Sequence, residues 1–328
     1  MTMSLEEAVS ILDANDDFRV LRRFSPPNRY AARPDGASVR VGAIVDTETT
    51  GLSLTDDAII ELAAVLFEYD ADTGEVYGVI DERGWLEDPG RPIPPDIVEL
   101  TGITDDMVAG KRIDDEDVAE TLKWADLVIA HNARFDRPRM EARFPAVAGK
   151  PWACSLSEID WAAERLPSKL EYMLTPLGLF FEGAHRATAD CRALLHVLAT
   201  QTLRSTGGTA FRALLASAAA PTSSVYATQS PFADKGALAS AGYRFNGGED
   251  GFPRAWWTSV PTEREAEALA ALAAMSPRAR PTVYRQTASE RYALARREPD
   301  IRPGFAADAA PAEAPVPSPG RRSILSLR

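Results

Sequence analysis

Cysteine and histidine are scarce in this 328-residue chain, which has two of the former and three of the latter. Cys154 and Cys191 stand far apart, without the paired spacing of a zinc site, so both read as small buried apolar residues in a reduced compartment. No apolar run approaches the roughly 20 residues of a membrane span, and the acidic stretch from Met1 to Asn15 lacks a signal-peptide pattern. A cytoplasmic chain without a membrane partner is expected. Positive charge is short as well, with 36 Lys+Arg against 48 Asp+Glu and a net charge of −12. Such a balance speaks against holding a long nucleic acid by electrostatics alone. The deficit is uneven, because residues from 221 onward carry 14 basic against 11 acidic side chains. The acidic part can still bind phosphate if metals neutralise it, which suits the end of a strand better than a long duplex.

The length points to one substantial domain plus an appendage. Leu5, Val9 and Leu12 fall at helical spacing in an N-terminal extension, residues 1–38, that caps or flanks the main body. The β-branched run from Val39 to Val45 predicts a strand, followed by strands at Ile59 to Tyr69 and, less regularly, Glu75 to Trp85. Helical patterning at Asp115 to Ala125, a buried strand at Leu127 to Ala130 and a helix opening near Asp136 come next. Further helices are expected at Ser155 to Arg165, Lys169 to Leu177 and Thr188 to Thr200. The order is that of an α/β domain over residues 39–205, with a mixed central sheet flanked by helices. Residues 206–231 read as a helix end and an Ala/Ser/Thr/Pro linker, 232–300 as a small α+β domain, and 301–328 as a disordered tail.

Three acidic clusters carry the chemistry: Asp46-Thr47-Glu48, then His131-Asn132-Ala133-Arg134-Phe135-Asp136, then His185-Arg186-Ala187-Thr188-Ala189-Asp190. Side chains alternate along a strand, so Asp46 and Glu48 share one face at a strand end and can touch one metal. Taken alone, the pair also fits two solvated edge carboxylates. Asp136 falls near a strand's end and at a helix start, beside the same sheet edge. His185 and Asp190 are five apart, about 140° around a helix, so they do not share a helical face. Asp190 then belongs inside the helix and His185 on its entry, where Gly183-Ala184 lends freedom to a base that swings onto water. His131 reads as a hydrogen-bonded structural residue and His196, among Leu194, Leu195, Val197 and Leu198, as a packing one. Four carboxylates and a histidine of this kind suit phosphodiester hydrolysis with two divalent metals, since hard cations take several carboxylate oxygens and an attacking water needs a base.

Over roughly residues 39–203 the chain resembles the DEDD-h 3′-to-5′ exonucleases. The resemblance rests on Val45 to Leu52, Leu100 to Val108, His131 to Asp136 and His185 to Asp190. It implies a ribonuclease H-like fold and two Mg²⁺ or Mn²⁺ ions. Asp46, Glu48 and Asp190 would hold the first, and Asp46 with Asp136, through water, the second. His185 would take the proton from water attacking the terminal phosphodiester, releasing a nucleoside 5′-monophosphate. Leu52, Leu100 and Ile103 would line the terminal-nucleotide pocket, and Thr47, Thr49, Asn132 and Phe135 complete the substrate-binding set, with Phe135 also a candidate packing residue. Family members often have Asp-Thr after the fourth strand, where this chain has Cys154-Ser155; the departure leaves the metal set whole.

Tyr243, Phe245, Trp256 and Trp257, near Arg244 and Arg254, fit either the C-terminal unit's own core or a base-stacking surface. The leading expectation is an enzyme trimming single-stranded 3′ ends, DNA before RNA, in proofreading or repair. An RNA-directed exoribonuclease and a non-catalytic polymerase-associated subunit are the alternatives. A polymerase partner and a homodimer are compatible with the resemblance, and Gln229-Ser230-Pro231-Phe232 has a faint likeness to a sliding-clamp peptide.

Overall fold

A computed structural model of the chain describes residues 3–181, 185–248, 250–294, 299–301, 304 and 305. Its N-terminal helix α1 (Leu5–Asp13) opens on a capping box in which Ser4 and Glu7 bond each other's backbone N–H, yet it buries no residue. The two-residue strand β1 (Arg22–Arg23) pairs in parallel with β7 (Leu179–Phe180) and ties the extension to the main body.

That body is built on a five-stranded sheet of order β4-β3-β2-β5-β6. The long meander β2 (Val39–Thr49), β3 (Ile59–Asp70) and β4 (Val76–Leu86) is antiparallel, and β5 (Leu127–Ala130) and β6 (Trp152–Cys154) add in parallel. The third strand is irregular as its sequence predicts, with register shifts against β3 at Leu66/Phe67 and Glu68/Tyr69. Gly42 on β2 is required by close packing, because a Cβ there would lie 2.4 Å from the Phe67 ring. Between β4 and β5 run α2 (Pro95–Thr101), α3 (Asp105–Val108) and α4 (Asp115–Lys123); α5 (Ala133–Arg143) connects β5 to β6. The short α6 (Leu170–Met173) precedes β7, and α7 (Ala187–Thr200) follows it.

Strand alternation divides the sheet's two cores. Ile44, Ala63, Val65 and Phe67 face α7, whose Ala187, Cys191, Leu194, Leu195 and Leu198 form an apolar stripe at helical spacing. Ala43, Val45, Leu62, Ala64 and Leu66 face the other way, toward Ala133 and Met140 of α5. By parity Asp46 and Glu48 lie on the α7 side and Thr47 on the α5 side. The end of β2 is therefore flanked by both helices, which positions the site.

Beyond α7 come α8 (Ala210–Ala219) and a second five-stranded sheet of order β12-β11-β8-β10-β9. Its strands are β8 (Thr222–Ala227), β9 (Arg244–Phe245), β10 (Trp256–Pro261), β11 (Thr282–Gln286) and β12 (Asp300–Ile301). Trp256 pairs with Phe245 and Trp257 with Arg244 in an antiparallel hairpin. Val225, Ala227 and Val283 pack on Leu238 of α9 (Lys235–Ser240) and Leu272 of α10 (Glu265–Met275). The opposite face carries Tyr226, Phe252, Trp257 and Tyr284.

Four expectations are corrected. Ser155 to Arg165 forms successive turns rather than a helix. There Asp160 accepts from the N–H of Ala163, Glu158 from that of Cys154, and Trp161 donates its indole N–H to the Ser155 carbonyl, so side chains compete with the helical ladder. Lys169 to Leu177 shrinks to α6 and one 3₁₀ turn, Thr175–Leu177, where Pro176 lacks a donor. The stretch 206–231, read as a helix end and linker, holds α8 and β8, the latter the almost wholly buried central strand of the second sheet. In the tail read as disordered, Ile301 pairs with Thr282 and Phe305 packs against the second core. Residues 302, 303 and 306–328 of that tail, and Gly183-Ala184, lie outside the described residues.

Candidate active site

Both acidic residues of β2 reach the end of the strand on the α7 side, and the register places Glu48 directly across from Glu61 of β3. Asp190 falls one helical turn from both Ala187 and Leu194, so the stripe that buries α7 also turns this carboxylate inward; it is buried. Asp136, in the first turn of α5, comes from the opposite side of the sheet and is buried too. The backbone N–H of Thr47 donates to it at 3.1 Å and the Thr47 hydroxyl at 2.7 Å. A carboxylate oxygen of Glu48, one of Asp190 and a ring nitrogen of His185 lie within 4.8 Å of one another. The backbone of His185 is left-handed, with φ 67°, and its N–H donates to Asp190 at 3.0 Å. It thus precedes α7, set apart from Asp190's place in the helix.

Electrostatics inside this pocket are dominated by burial and like charge. Burial first, then Asp136, Asp190, Glu48 and Glu61 in turn, hold the Asp46 carboxyl well above the ordinary range. Burial, aided by Asp190, Glu61 and Asp136, pushes Glu48 up to about 8, against a smaller lowering by Arg186. Burial likewise raises Asp136 to about 7, opposed by the two bonds from Thr47, and Asp190 to about 7, opposed by the His185 N–H. Four oxygen donors that repel each other in a desolvated pocket match what a hard divalent cation requires.

Glu61 is the residue that sequence reasoning passes over. It is buried, accepts the Ala187 N–H at 3.0 Å, and is forked by the Arg186 guanidinium at 3.0 and 3.3 Å. Its signal was a lone acid within the apolar run Ile59-Ile60-Glu61-Leu62-Ala63-Ala64. Arg186 thus places one positive charge at the rim of an otherwise acidic pocket.

The expected substrate residues are placed unevenly. Leu52 is 83% exposed on the loop after β2, and its carbonyl accepts a bond from Arg139, whose guanidinium lies 3.6 Å from the Phe135 ring centroid. Asn132 is exposed, with φ 93°, and Phe135 is half-buried. Leu100 is half-exposed, whereas Ile103 is fully enclosed with Ile60, Ile93 and Val108. Ile103 therefore offers no surface to a substrate. Thr49 is buried and donates its hydroxyl to the Gly51 carbonyl, shaping the turn. His131 is the structural residue expected, bonded to the Ser155 hydroxyl and the Ser168 carbonyl. His196 packs against Phe24 and Tyr30. Both cysteines are free and buried. Among the described residues no helix is long and apolar enough to cross a membrane.

A mixed sheet flanked by helices, with carboxylates gathered at the end of its central strand, defines a ribonuclease H-like exonuclease fold. The exonuclease family model matches residues 43–198. The chain is 31% identical over 164 residues to the epsilon subunit of DNA polymerase III from Treponema pallidum, covering 47% of this chain and 73% of that protein. It is 33% identical over 161 residues to the PolC-type DNA polymerase III of Listeria innocua, of which it spans only 11%. A solved structure of exonuclease X in complex with 5′ overhanging duplex DNA is 26% identical, covering 52% of this chain and 99% of that one, with a TM-score of 0.37. The chain belongs to the exonuclease family and is a 3′-to-5′ exonuclease.

Proposed function

We propose that the chain removes nucleoside 5′-monophosphates from single-stranded 3′ ends, DNA in preference to RNA, with two Mg²⁺ or Mn²⁺ ions. The observation that carries this is the convergence of Glu48, His185 and Asp190 within 4.8 Å, beside the half-buried Asp46 and the buried Asp136. That its relative from Treponema pallidum is a DNA polymerase subunit supports DNA as the polymer and proofreading or repair as the setting.

In this reading Asp46, Glu48 and Asp190 would hold one ion, and Asp46 with Asp136, through water, the other. Bound divalent cations would offset the carboxylates' mutual repulsion and favour the ionised form of water. His185 accepts a proton as the water oxygen bonds to phosphorus and the bond to the leaving 3′ oxygen breaks; that oxygen is protonated from solvent. The exposed Leu52 stacks on the terminal base, with Asn132, Phe135 and Leu100 around it, Thr49 fixing the turn beneath and Thr47 holding Asp136. Arg186, partly exposed while it holds Glu61, would meet a phosphate.

End-labelled DNA and RNA oligonucleotides, incubated with Mg²⁺, Mn²⁺ or EDTA, test the reading. Stepwise, metal-dependent loss of 3′ nucleotides, faster on DNA and absent in Asp46→Ala, is expected. A rate insensitive to EDTA refutes the metals, and faster RNA trimming reverses the polymer.

A further inference from the structure

We propose that the C-terminal unit is part of the catalytic apparatus: through Arg134 it positions the helix that carries Asp136. The inference rests on the proposed role of Asp136 and extends it to a unit to which the nuclease chemistry gives no role.

Helix α5 has a weak local start. Asn132 precedes it in a left-handed conformation, φ 93°, that a non-glycine residue adopts at a cost, and no side chain caps it. Arg134 and Arg137 add two cations to its first turns, where the helix dipole disfavours positive charge. Neither the sequence of the helix nor its dipole explains these residues, but their tertiary partners do.

Positions two apart on a helix point in different directions, so Asp136 faces Thr47 while Arg134 faces the second sheet. The Arg134 guanidinium lies 3.9 Å from the centroid of the Trp257 ring and donates to Asp250 at 2.8 Å. Trp257 is held in turn by stacking on the buried Tyr226. One residue beyond Asp136, the wholly buried Arg137 donates to the carbonyls of Ala288, Ser289 and Arg291 at 3.1, 2.7 and 2.6 Å. The outer strand of the catalytic sheet is engaged too, since the Trp152 backbone N–H donates to the Ala288 carbonyl at 2.9 Å. Asp136 is thereby bracketed by two arginines anchored in the C-terminal unit. The Arg137 contacts are buried deeply enough to belong to folding itself. Arg134 is the adjustable one, half-buried, and planar enough to stack and pair at once.

The test compares R134L, R134K and W257F in the full-length chain by Mn²⁺ titration calorimetry, melting temperature, and kcat and KM on a single-stranded DNA oligonucleotide. R134L should weaken Mn²⁺ binding and lower kcat by about 10- to 100-fold, the scale of a displaced catalytic group, with KM for DNA little changed. R134K, which keeps the charge, and W257F, which keeps a ring beneath it, should recover part of both. A lowered melting temperature with wild-type Mn²⁺ affinity and kcat would overturn the proposal and leave Arg134 as mere packing. Should R134L fail to fold, D250N removes the ion pair while leaving an oxygen to accept from Asn246 and the Phe252 N–H, and carries the same readouts. A wild type that binds Mn²⁺ but hydrolyses no nucleic acid refutes the nuclease reading, and the Mn²⁺ comparison still decides this one.

Discussion

Thr47 donates its backbone N–H, at 3.1 Å, and its hydroxyl, at 2.7 Å, to the same oxygen of Asp136, 89 residues along the chain. The pair joins β2 to α5 through the sheet face opposite Glu48. Both bonds favour the ionised carboxylate and oppose the burial that raises Asp136 to about 7. Thr47→Val removes the hydroxyl and leaves the N–H, so Asp136 should titrate at still higher pH. The acid limb of the pH–rate profile is then expected to move upward, with a stability loss of about 1–3 kcal/mol above neutrality, while Thr47→Ser stays near wild type. Coincident acid limbs for the valine and serine variants would show that Thr47 does not tune Asp136.

The metal-free chain should lose stability as pH rises. Glu48 titrates at about 8 in the folded chain against 4.5 for its ordinary value, and Asp136 and Asp190 at about 7 against 3.8. Between those limits the folded state binds more protons than the unfolded one, so the slope of stability against pH is negative. The contribution is fully present below about pH 4 and gone above about pH 8. Melting in EDTA should fall by more than about 4 °C from pH 5 to pH 9, and added Mg²⁺ should restore most of the loss at pH 9. A melting temperature that climbs over this range in EDTA contradicts the raised carboxyls.

Much of this architecture was legible because it follows short-range rules. The β-branched run into Asp46, the alternation that pairs Asp46 with Glu48, and the helical stripe through Ala187, Cys191 and Leu194 each declare themselves within about ten residues. Glu61 did not, because its meaning comes from Glu48 opposite and Arg186 125 residues away. Thr222 to Ala227 resembled a linker, since Thr-Ser-Ser-Val-Tyr-Ala carries little apolar signal until the flanking strands β10 and β11 bury it. The turns from Ser155 to Arg165 have the composition of a helix, and only side-chain capture of the backbone breaks it.

Glu61 and Arg186 make a separate prediction by double substitution. Glu61 is buried, while Arg186 keeps 44% of its side chain exposed, so solvent screens the pair in part. Arg186→Met leaves a buried carboxylate facing Glu48 without its cation, and should cost about 1–2 kcal/mol and push Glu48 up further. Glu61→Gln removes a negative charge from the acidic pocket and should be the milder change. The double variant is expected to be more stable than Arg186→Met alone, a coupling of more than about 0.5 kcal/mol by denaturant titration. Strict additivity would mean that the two groups do not act as a pair.

His185 separates rate from fold. Its backbone sits at φ 67°, a region that Asn tolerates better than Ala, and its N–H holds Asp190 whatever the side chain. His185→Asn should therefore keep the entry to α7, the bond to Asp190 and the melting temperature, while removing the base. Hydrolysis is expected to fall by about 10²–10⁴ with Mn²⁺ affinity within a few-fold of wild type, the worth of a positioned proton acceptor. His185→Ala should show the same loss of rate with an added stability cost of about 1 kcal/mol from the left-handed backbone. A His185→Asn chain that binds Mn²⁺ as poorly as Asp190→Asn would make the histidine a ligand, because its ring nitrogen already lies within 4.8 Å of Glu48 and Asp190 oxygens. Intact metal binding with lost turnover fits the base alone.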